Sequence, residues 1–101
     1  MAQFDVYKNS DVKSLRQFPY LLDIQSNLHS NMISRVVVPL AIDVPTVQHL
    51  TPVFEIEELN VVAYVMEMTS VPKSILVDKV TNVSHYRNQI VDALDFLVNG
   101  F

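Results

Sequence analysis

Valine content is the feature that most constrains the fold, since seventeen of the 101 residues are valine. A β-branched side chain is stiff at its first torsion and fits a pleated, half-buried surface better than a helix. The chain has one glycine and five prolines, so most turns must be made by Asn, Asp, Ser and Pro. The composition predicts a mainly β protein, and the length suits one domain, residues 1–101, with a single core.

Charge and cysteine content disfavour several classes of function. The formal net charge is -4, and no basic block suggests direct binding to nucleic acid. The chain has no cysteine, which rules out a disulfide and a thiol nucleophile and fits a reducing compartment. The N-terminus lacks a signal-peptide pattern, and the apolar stretches are too short to cross a bilayer. We therefore expect a soluble cytoplasmic protein that does not contact membranes.

The first half of the chain shows three strand-like segments. Residues 3–8 and 18–26 flank a polar stretch, which predicts a hairpin with a long loop. The run 33–42 is nearly all aliphatic, as in a strand buried on both faces. Pro39 lies within this run and cannot donate a backbone hydrogen bond, so it predicts a bulge or a free edge. We expect the strand to bend or to leave the sheet there.

The next segments complete an antiparallel pattern. Phe54 and Ile56 alternate with acidic residues, which predicts a strand with one solvated face. A turn at residues 57–60 leads to a strand over 61–68, and Val71-Pro72 is expected to end the sheet region. This order of segments favours a meander or a small barrel over alternating βαβ units.

The last fifth of the chain changes to a helical period. Apolar residues recur at intervals of four, four and three, which predicts a helix from about Ser84 to Val98. Asn82 or Ser84 is available as the N-cap, and Gly100 as the C-terminal stop. Val98 belongs to a second apolar surface near the terminus. The residues of the helical stripe are Tyr86, Ile90, Leu94 and Leu97.

A search for reactive groups finds no catalytic residue, metal site or cofactor site. The three histidines have no metal-ligand spacing, and a chain with one glycine cannot form a glycine-rich phosphate loop. The remaining enzymatic option is an endoribonuclease of the MazF/Kid kind, with Arg35, Arg87 and His85 as the contributors. Against it, acidic residues outnumber basic ones, and Arg35 beside an aliphatic run is typical of a strand-end charge with its stem packed down.

An ordered set of residues resembles the CcdB toxin family over nearly the whole chain, from Gln3 to Phe101. The resemblance is interrupted mainly at residues 9–17 and 44–64. The residues that carry it are Gln3-Phe4, Val6-Tyr7, Asp23-Ile24-Gln25-Ser26, Arg35-Val36-Val37-Val38-Pro39-Leu40, Met68-Thr69-Ser70-Val71-Pro72, Ser84-His85, Asn88, Ile90, Ala93 and Gly100.

The resemblance implies an SH3-like barrel of antiparallel strands with a C-terminal helix, assembled as a homodimer. It also implies a toxin that binds the DNA gyrase A subunit and traps the cleaved gyrase–DNA complex, without catalysis. The antitoxin partner, of the CcdA type, would wrap the toxin with a disordered segment and bind operator DNA with its folded part, so this chain would contact DNA only indirectly. Carried over by position, the gyrase contacts are Leu28, His29, Asp95, Val98, Asn99, Gly100 and Phe101.

Two positions at the C-terminus bear on toxicity. Asn99 stands where the best-known members have Trp, so the aromatic area at this position is lost. The sequence alone favours burial of Phe101 in the core, whereas the resemblance places it at the partner surface. Three hypotheses follow, namely a gyrase poison, a toxin-like ribonuclease, and a relative that binds only an antitoxin.

Overall fold

A computed structural model describes residues 2–27 and 31–100, and seven β-strands and one α-helix lie within these ranges. The expected mainly β chain with a C-terminal helix is confirmed. The strands are β1 Asp5–Lys8, β2 Tyr20–Asp23, β3 Ser34–Ala41, β4 Val53–Ile56, β5 Leu59–Ala63, β6 Thr69–Pro72 and β7 Lys79–Asn82. The helix is α1 Arg87–Asn99. Short 3-10 helices lie at Val65–Glu67, Lys73–Ile75 and Ser84–Tyr86.

The strands form one curled half-barrel sheet, as expected of the SH3-like architecture. The strand order is β4-β5-β3-β2-β1-β7, and β6 pairs with β3 outside this path. Each pairing between the described strands is antiparallel. The predicted long-loop hairpin is confirmed, because β1 pairs with β2 and Val6 lies opposite Leu22.

Both faces of the sheet are buried in its centre, because successive strand residues point to opposite faces. One face, with Val6, Leu22 and Val38, packs against Ile90 and Ala93 of α1 in the main core. The other face carries a smaller apolar cluster, which consists of Tyr7, Leu21, Val37 and Leu76. α1 therefore covers one side of the half-barrel.

Strand β3 remains in the sheet across Pro39, which corrects the expectation that the chain leaves it there. Pro39 pairs with Leu21 of β2, and its carbonyl accepts a hydrogen bond of 3.1 Å from the Tyr64 N–H. On the edge of β3 that faces away from β2, β3 pairs with β6 up to Val37 and with β5 from Leu40. The proline occupies the gap between the two partners, so its missing N–H breaks no ladder bond. The expected free edge is therefore limited to the short gap between β6 and β5.

The second half of the sheet differs from the prediction at two strand ends. The predicted strand 61–68 is shorter, since β5 ends at Ala63 and a 3-10 helix follows at Val65–Glu67. The sheet does not end at Val71-Pro72, because β7 follows and pairs with β1. Strand β7, with the sequence KVTN, lacks the apolar alternation that marks a half-buried strand.

Helix α1 begins after one turn of 3-10 helix and ends as predicted. Gly100 has φ +79° and donates its backbone N–H to the Phe96 carbonyl at 2.8 Å. Glycine adopts this left-handed conformation at the end of a helix without a Cβ penalty. The Asn82 side chain accepts a 2.9 Å hydrogen bond from the Ser84 N–H. Ser84 itself does not cap α1, since the N-cap position is Tyr86, which makes no side-chain cap bond.

Candidate functional site

The C-terminal end of α1 brings together four of the seven predicted contact residues. Asp95, Val98, Asn99 and Gly100 are all exposed, while Ile90 and Ala93 on the inner side of the helix are buried. Val98 is 74% exposed. At this exposure, the valine side chain adds little to the core. This surface, defined by Asp95, Val98, Asn99 and Gly100, is called the helix-end surface below.

The other three predicted contacts, Leu28, His29 and Phe101, lie outside the described residues. Two exposed apolar side chains, Met32 and Ile33, follow close after the first pair in sequence, and Ile33 is 88% exposed. Sequence reasoning missed this exposure because Ile33 begins the long aliphatic run that predicts a buried strand. Ile33 differs from the buried residues of this run only in its position, which is one residue before the first paired residue of β3.

A cavity of about 530 Å³ lies beside the helix-end surface, between α1 and the loop that leads into β4. Its walls include Val47 and His49 from the loop, and Asp92, Asp95 and Phe96 from the helix. The His49 ring lies 5.3 Å from the Phe96 ring, centroid to centroid. Sequence reasoning missed the cavity because the loop has no periodic pattern and lies in the part of the chain where the family resemblance is interrupted.

Arg35, a candidate of the ribonuclease hypothesis, lies inside the protein. Its Nε and Nη2 donate to the two carboxylate oxygens of Asp23 at 2.9 and 3.0 Å, and both side chains are fully buried. Nη2 also donates to the Gln25 carbonyl at 3.0 Å. Nη1 has no hydrogen-bond partner among the described residues. Arg35 does lie at the end of β3, but its charged group is buried together with its stem, so the expectation of a charge exposed to solvent is wrong.

Two further buried polar groups lie on the same sheet face as this ion pair. Burial opposes ionisation of Asp5, but hydrogen bonds from Asn82 and the Ala2 N–H, together with Lys79, outweigh it and lower the pKa of Asp5. Burial, then the charge of Asp5, raises the pKa of Tyr7 to about 12. The Tyr7 hydroxyl donates to the Asp5 carboxylate over a long 3.4 Å. These groups form a closed structural network, with Tyr7 as the neutral donor.

The other two ribonuclease candidates lie at the opposite end of α1 from the helix-end surface. Arg87 is exposed, donates to the Gln3 side chain at 3.3 Å and lies 5.5 Å from the Phe4 ring centroid. The exposed His85 ring packs on the ring of Tyr86 at 4.4 Å. Because Arg35 is buried, the three candidate residues do not converge on one exposed groove.

No group of three or more His, Asp or Glu side chains within residues 2–27 and 31–100 is placed to hold a metal ion. No helix in the described part of the chain is long and apolar enough to cross a membrane.

Comparison with known proteins places the chain in a family. The CcdB protein family matches residues 3–100, and no curated protein sequence matches at a significant level. Among solved structures, the fold is similar to an endoribonuclease in complex with its cognate antitoxin from a mycobacterial species. The TM-score is 0.81 at 17% identity, over 97% of this chain and 94% of that chain. At this identity the similarity supports the fold alone, whereas the family match spans nearly every residue, so the chain belongs to the CcdB family of toxin–antitoxin toxins.

Proposed function

We propose that this toxin acts by binding the DNA gyrase A subunit and trapping the enzyme with its DNA cut. The observation that carries the proposal is the helix-end surface, where Val98 is 74% exposed at the position that the family resemblance assigns to gyrase contact. A small apolar anchor surrounded by polar groups is a common centre of a binding interface. Asp95 and Asn99 supply such groups beside Val98, on the same end of α1.

The proposed mechanism needs affinity and no chemistry. A protein that binds the cleaved conformation of gyrase more tightly than the closed one shifts the population toward the cleaved state. A hundredfold difference in affinity, or about 2.7 kcal/mol, is enough to change the ratio of the two states a hundredfold. The helix-end surface contains a carboxylate, an amide and a valine. These groups can form hydrogen bonds and apolar contacts with a partner, as this mechanism requires.

A homodimer is part of the proposal, because a two-fold axis would present two helix-end surfaces to a two-fold symmetric partner. Simultaneous engagement of both copies raises the overall affinity well above that of one copy. Sedimentation equilibrium tests the assembly. A dimer at micromolar concentration is expected, and a monomer at this concentration would remove the two-surface form of the mechanism.

We also propose that an antitoxin of the CcdA type binds this cytoplasmic protein and neutralises it. A disordered antitoxin segment that folds on binding can wrap a large surface and is removed easily by proteolysis. Operator DNA would then be bound by the antitoxin, and this chain, with its net charge of -4, would contact DNA only indirectly.

Ribonuclease activity is the alternative, since the structural neighbour is an endoribonuclease. The burial of Arg35 weighs against it here, because a fully buried guanidinium in an ion pair cannot reach an RNA phosphate. A relative that only binds antitoxin is the third hypothesis, to which Asn99 at the position of the family's Trp gives weight.

The test is a gyrase cleavage assay with purified protein, supercoiled DNA and ATP. The intact chain is compared with a chain truncated after Asn99 and with Val98→Asp. Val77→Asp is the matched control, because Val77 is also 74% exposed but precedes β7, outside the helix-end surface. We expect linear DNA with the intact chain and with Val77→Asp, and a strong loss with the other two proteins.

The other outcomes separate the three hypotheses. Equal cleavage with Val98→Asp and Val77→Asp would mean that the helix-end surface does not contact gyrase. No linear DNA at high protein excess would reject gyrase poisoning for the gyrase tested. An RNA cleavage assay that depends on Arg87 and His85 would then identify a ribonuclease, and its failure would leave an antitoxin-binding relative.

A further inference from the structure

The cavity between α1 and the loop before β4 combines an apolar floor with an acidic rim. Ala93, Phe96 and Val53 supply apolar surface, and Asp92 and Asp95 lie on the exposed side of the helix. Neither lysine nor arginine lines the cavity among the described residues. Its volume of about 530 Å³ is that of a site for a small ligand or a long side chain. The two carboxylates give the rim a negative charge, which favours a cationic ligand.

The rings of His49 and Phe96 form an aromatic wall of this cavity, and the loop holds the His49 ring in place. Val47 and Thr51 close a turn through three contacts, with the Val47 N–H donating to the Thr51 hydroxyl at 2.7 Å. His49, inside this turn, has φ +71° and packs its ring on Phe96 at 5.3 Å. Histidine adopts this left-handed conformation more often than most non-glycine residues do, mainly in turns. The hydrogen-bonded turn thus presents the His49 ring to the Phe96 ring.

We infer that this cavity binds an arginine side chain presented by a partner protein. The aliphatic stem of arginine would lie along Ala93 and Val53, as long charged side chains do on apolar surface. Its planar guanidinium would donate to the carboxylates of Asp92 and Asp95 and stack on the aromatic wall. No other common side chain matches an acidic rim, an apolar floor and a ring face together, since lysine offers a compact ammonium with no planar face.

The site extends the interaction surface beyond the helix-end surface. Asp95 belongs to both, whereas Asp92, Ala93 and the loop belong only to the cavity. The inference does not depend on gyrase binding, because the site is tested with a small molecule alone.

The experiment is an amide chemical-shift titration of the full chain with Nα-acetyl-arginine amide. Nα-acetyl-citrulline amide is the matched probe, since it keeps the shape of arginine and lacks the charge. We expect saturable shifts confined to residues 46–53 and 89–96 with the arginine probe, and at least about tenfold weaker binding of the citrulline probe. Equal binding of the two probes, or shifts scattered over the surface, would overturn the inference.

Variants of the two rim carboxylates complete the test. Asp92→Asn with Asp95→Asn is expected to weaken binding of the arginine probe at least about fivefold, because both removed charges face the guanidinium. Asp78→Asn is the control, since Asp78 is exposed, lies before β7 and does not line the cavity. All three changes are at exposed positions, so the fold is expected to survive. Unchanged affinity in the double variant, or an equal loss in Asp78→Asn, would also reject the site.

Discussion

The interior beside β2 and β3 and the exposed end of α1 depart from the usual distribution of polarity in opposite directions. Asp23 and Arg35 form a fully buried ion pair in the first region. Val98 is 74% exposed in the second. Charges are seldom fully buried unless they are paired, and an exposed apolar side chain adds little to the core, so neither arrangement is explained by the burial of apolar surface.

The buried pair is better explained by register than by stability. Replacing a buried ion pair by apolar residues of similar volume is often neutral or stabilising. In β2–β3, Asp23 pairs with Val37, so Arg35 lies two residues along on the same face and reaches Asp23 diagonally. A slip of one residue would move one charge to the opposite face of the sheet. We therefore expect the ion pair to penalise the wrong register.

For the exposed valine, the proposed gyrase interface at the helix-end surface is the explanation to be tested. Ile90 and Ala93 of the same helix are buried in the core while Val98 is exposed, so only a second surface would remove Val98 from water. If the proposed function is right, the two exceptions have different causes, one internal to the chain and one external. Mutations in the first region should therefore change folding, and mutations in the second should change binding.

Arg35→Met gives the largest expected effect. Removing the guanidinium leaves the Asp23 carboxylate buried without its counterion, and we expect a loss of about 3–5 kcal/mol in the free energy of unfolding. Urea denaturation monitored by circular dichroism measures it. Arg87→Met is the matched control at an exposed position, where we expect a change of less than about 1 kcal/mol.

A second variant decides whether the pair serves register or stability. Asp23→Leu combined with Arg35→Met removes both charges, and we expect most of the lost stability to return. If the double variant is as unstable as Arg35→Met alone, the pair contributes stability directly and the register interpretation is wrong.

Tyr7, which lies in the buried region, makes the free energy of unfolding depend on pH. Its pKa is about 12 in the folded chain, against an ordinary value of 10. The folded state therefore holds the proton more tightly, so this contribution is complete below pH 10 and is lost as the pH rises through about 12. We expect the wild type to lose about 2 kcal/mol more than Tyr7→Phe between pH 9 and pH 12. Urea unfolding at the two pH values measures the difference.

The neutral-pH comparison is the control for Tyr7. The hydrogen bond from its hydroxyl to Asp5 is 3.4 Å long, so Tyr7→Phe should cost less than about 1 kcal/mol at pH 7. Parallel loss of stability in both proteins up to pH 12 would show that Tyr7 ionises without resistance from its surroundings.

Val98→Ala tests the external side of the comparison with a smaller effect. We expect the affinity for a gyrase A dimerisation fragment to fall about tenfold, or about 1.4 kcal/mol, through loss of the apolar anchor. The free energy of unfolding should change by less than about 0.5 kcal/mol, because the side chain is exposed. Calorimetric titration and urea denaturation give the two numbers. An equal loss in both would mean that Val98 supports the fold.

Local patterns predicted most of the fold. The strand alternation at Phe54 and Ile56 and the helical stripe ending at Gly100 both depend on near neighbours in sequence, so they are visible without the structure. Strand β7 was missed because its short polar sequence forms a strand only by pairing with β1, from the other end of the chain. Tertiary pairing of this kind overrides local propensity.

The site was predictable to a smaller extent. The exposure of Val98 follows from the second apolar stripe on α1, but its assignment to gyrase came from the family resemblance. The burial of Arg35 could not be predicted, because its partner Asp23 lies twelve residues away on another strand. The cavity was invisible for the same reason, since it exists only where a loop without periodic pattern meets the helix.

The β4–β5 turn serves as a reference for the two regions, because its charged residues are exposed to solvent in the usual way. Glu57 and Glu58, between the paired residues Ile56 and Leu59, have φ +50° and +67°. A two-residue turn with both φ values positive is a type I′ turn, which favours Asn and Gly. Glu57 accepts a 2.9 Å hydrogen bond from the Tyr20 hydroxyl, so its side chain has a structural role.

Glu58→Gly should therefore stabilise the protein by about 0.5–1 kcal/mol, since glycine adopts the positive φ without steric strain. Glu55→Gly is the matched control, because Glu55 is exposed but lies in the extended backbone of β4, where we expect a loss of about 1 kcal/mol. Urea denaturation of both variants measures the two changes. Stabilisation of this size would show that the positive φ at Glu58 destabilises the wild-type protein and that the Glu58 side chain does not compensate for it. Destabilisation by Glu58→Gly would instead show that the Glu58 side chain supports the hairpin.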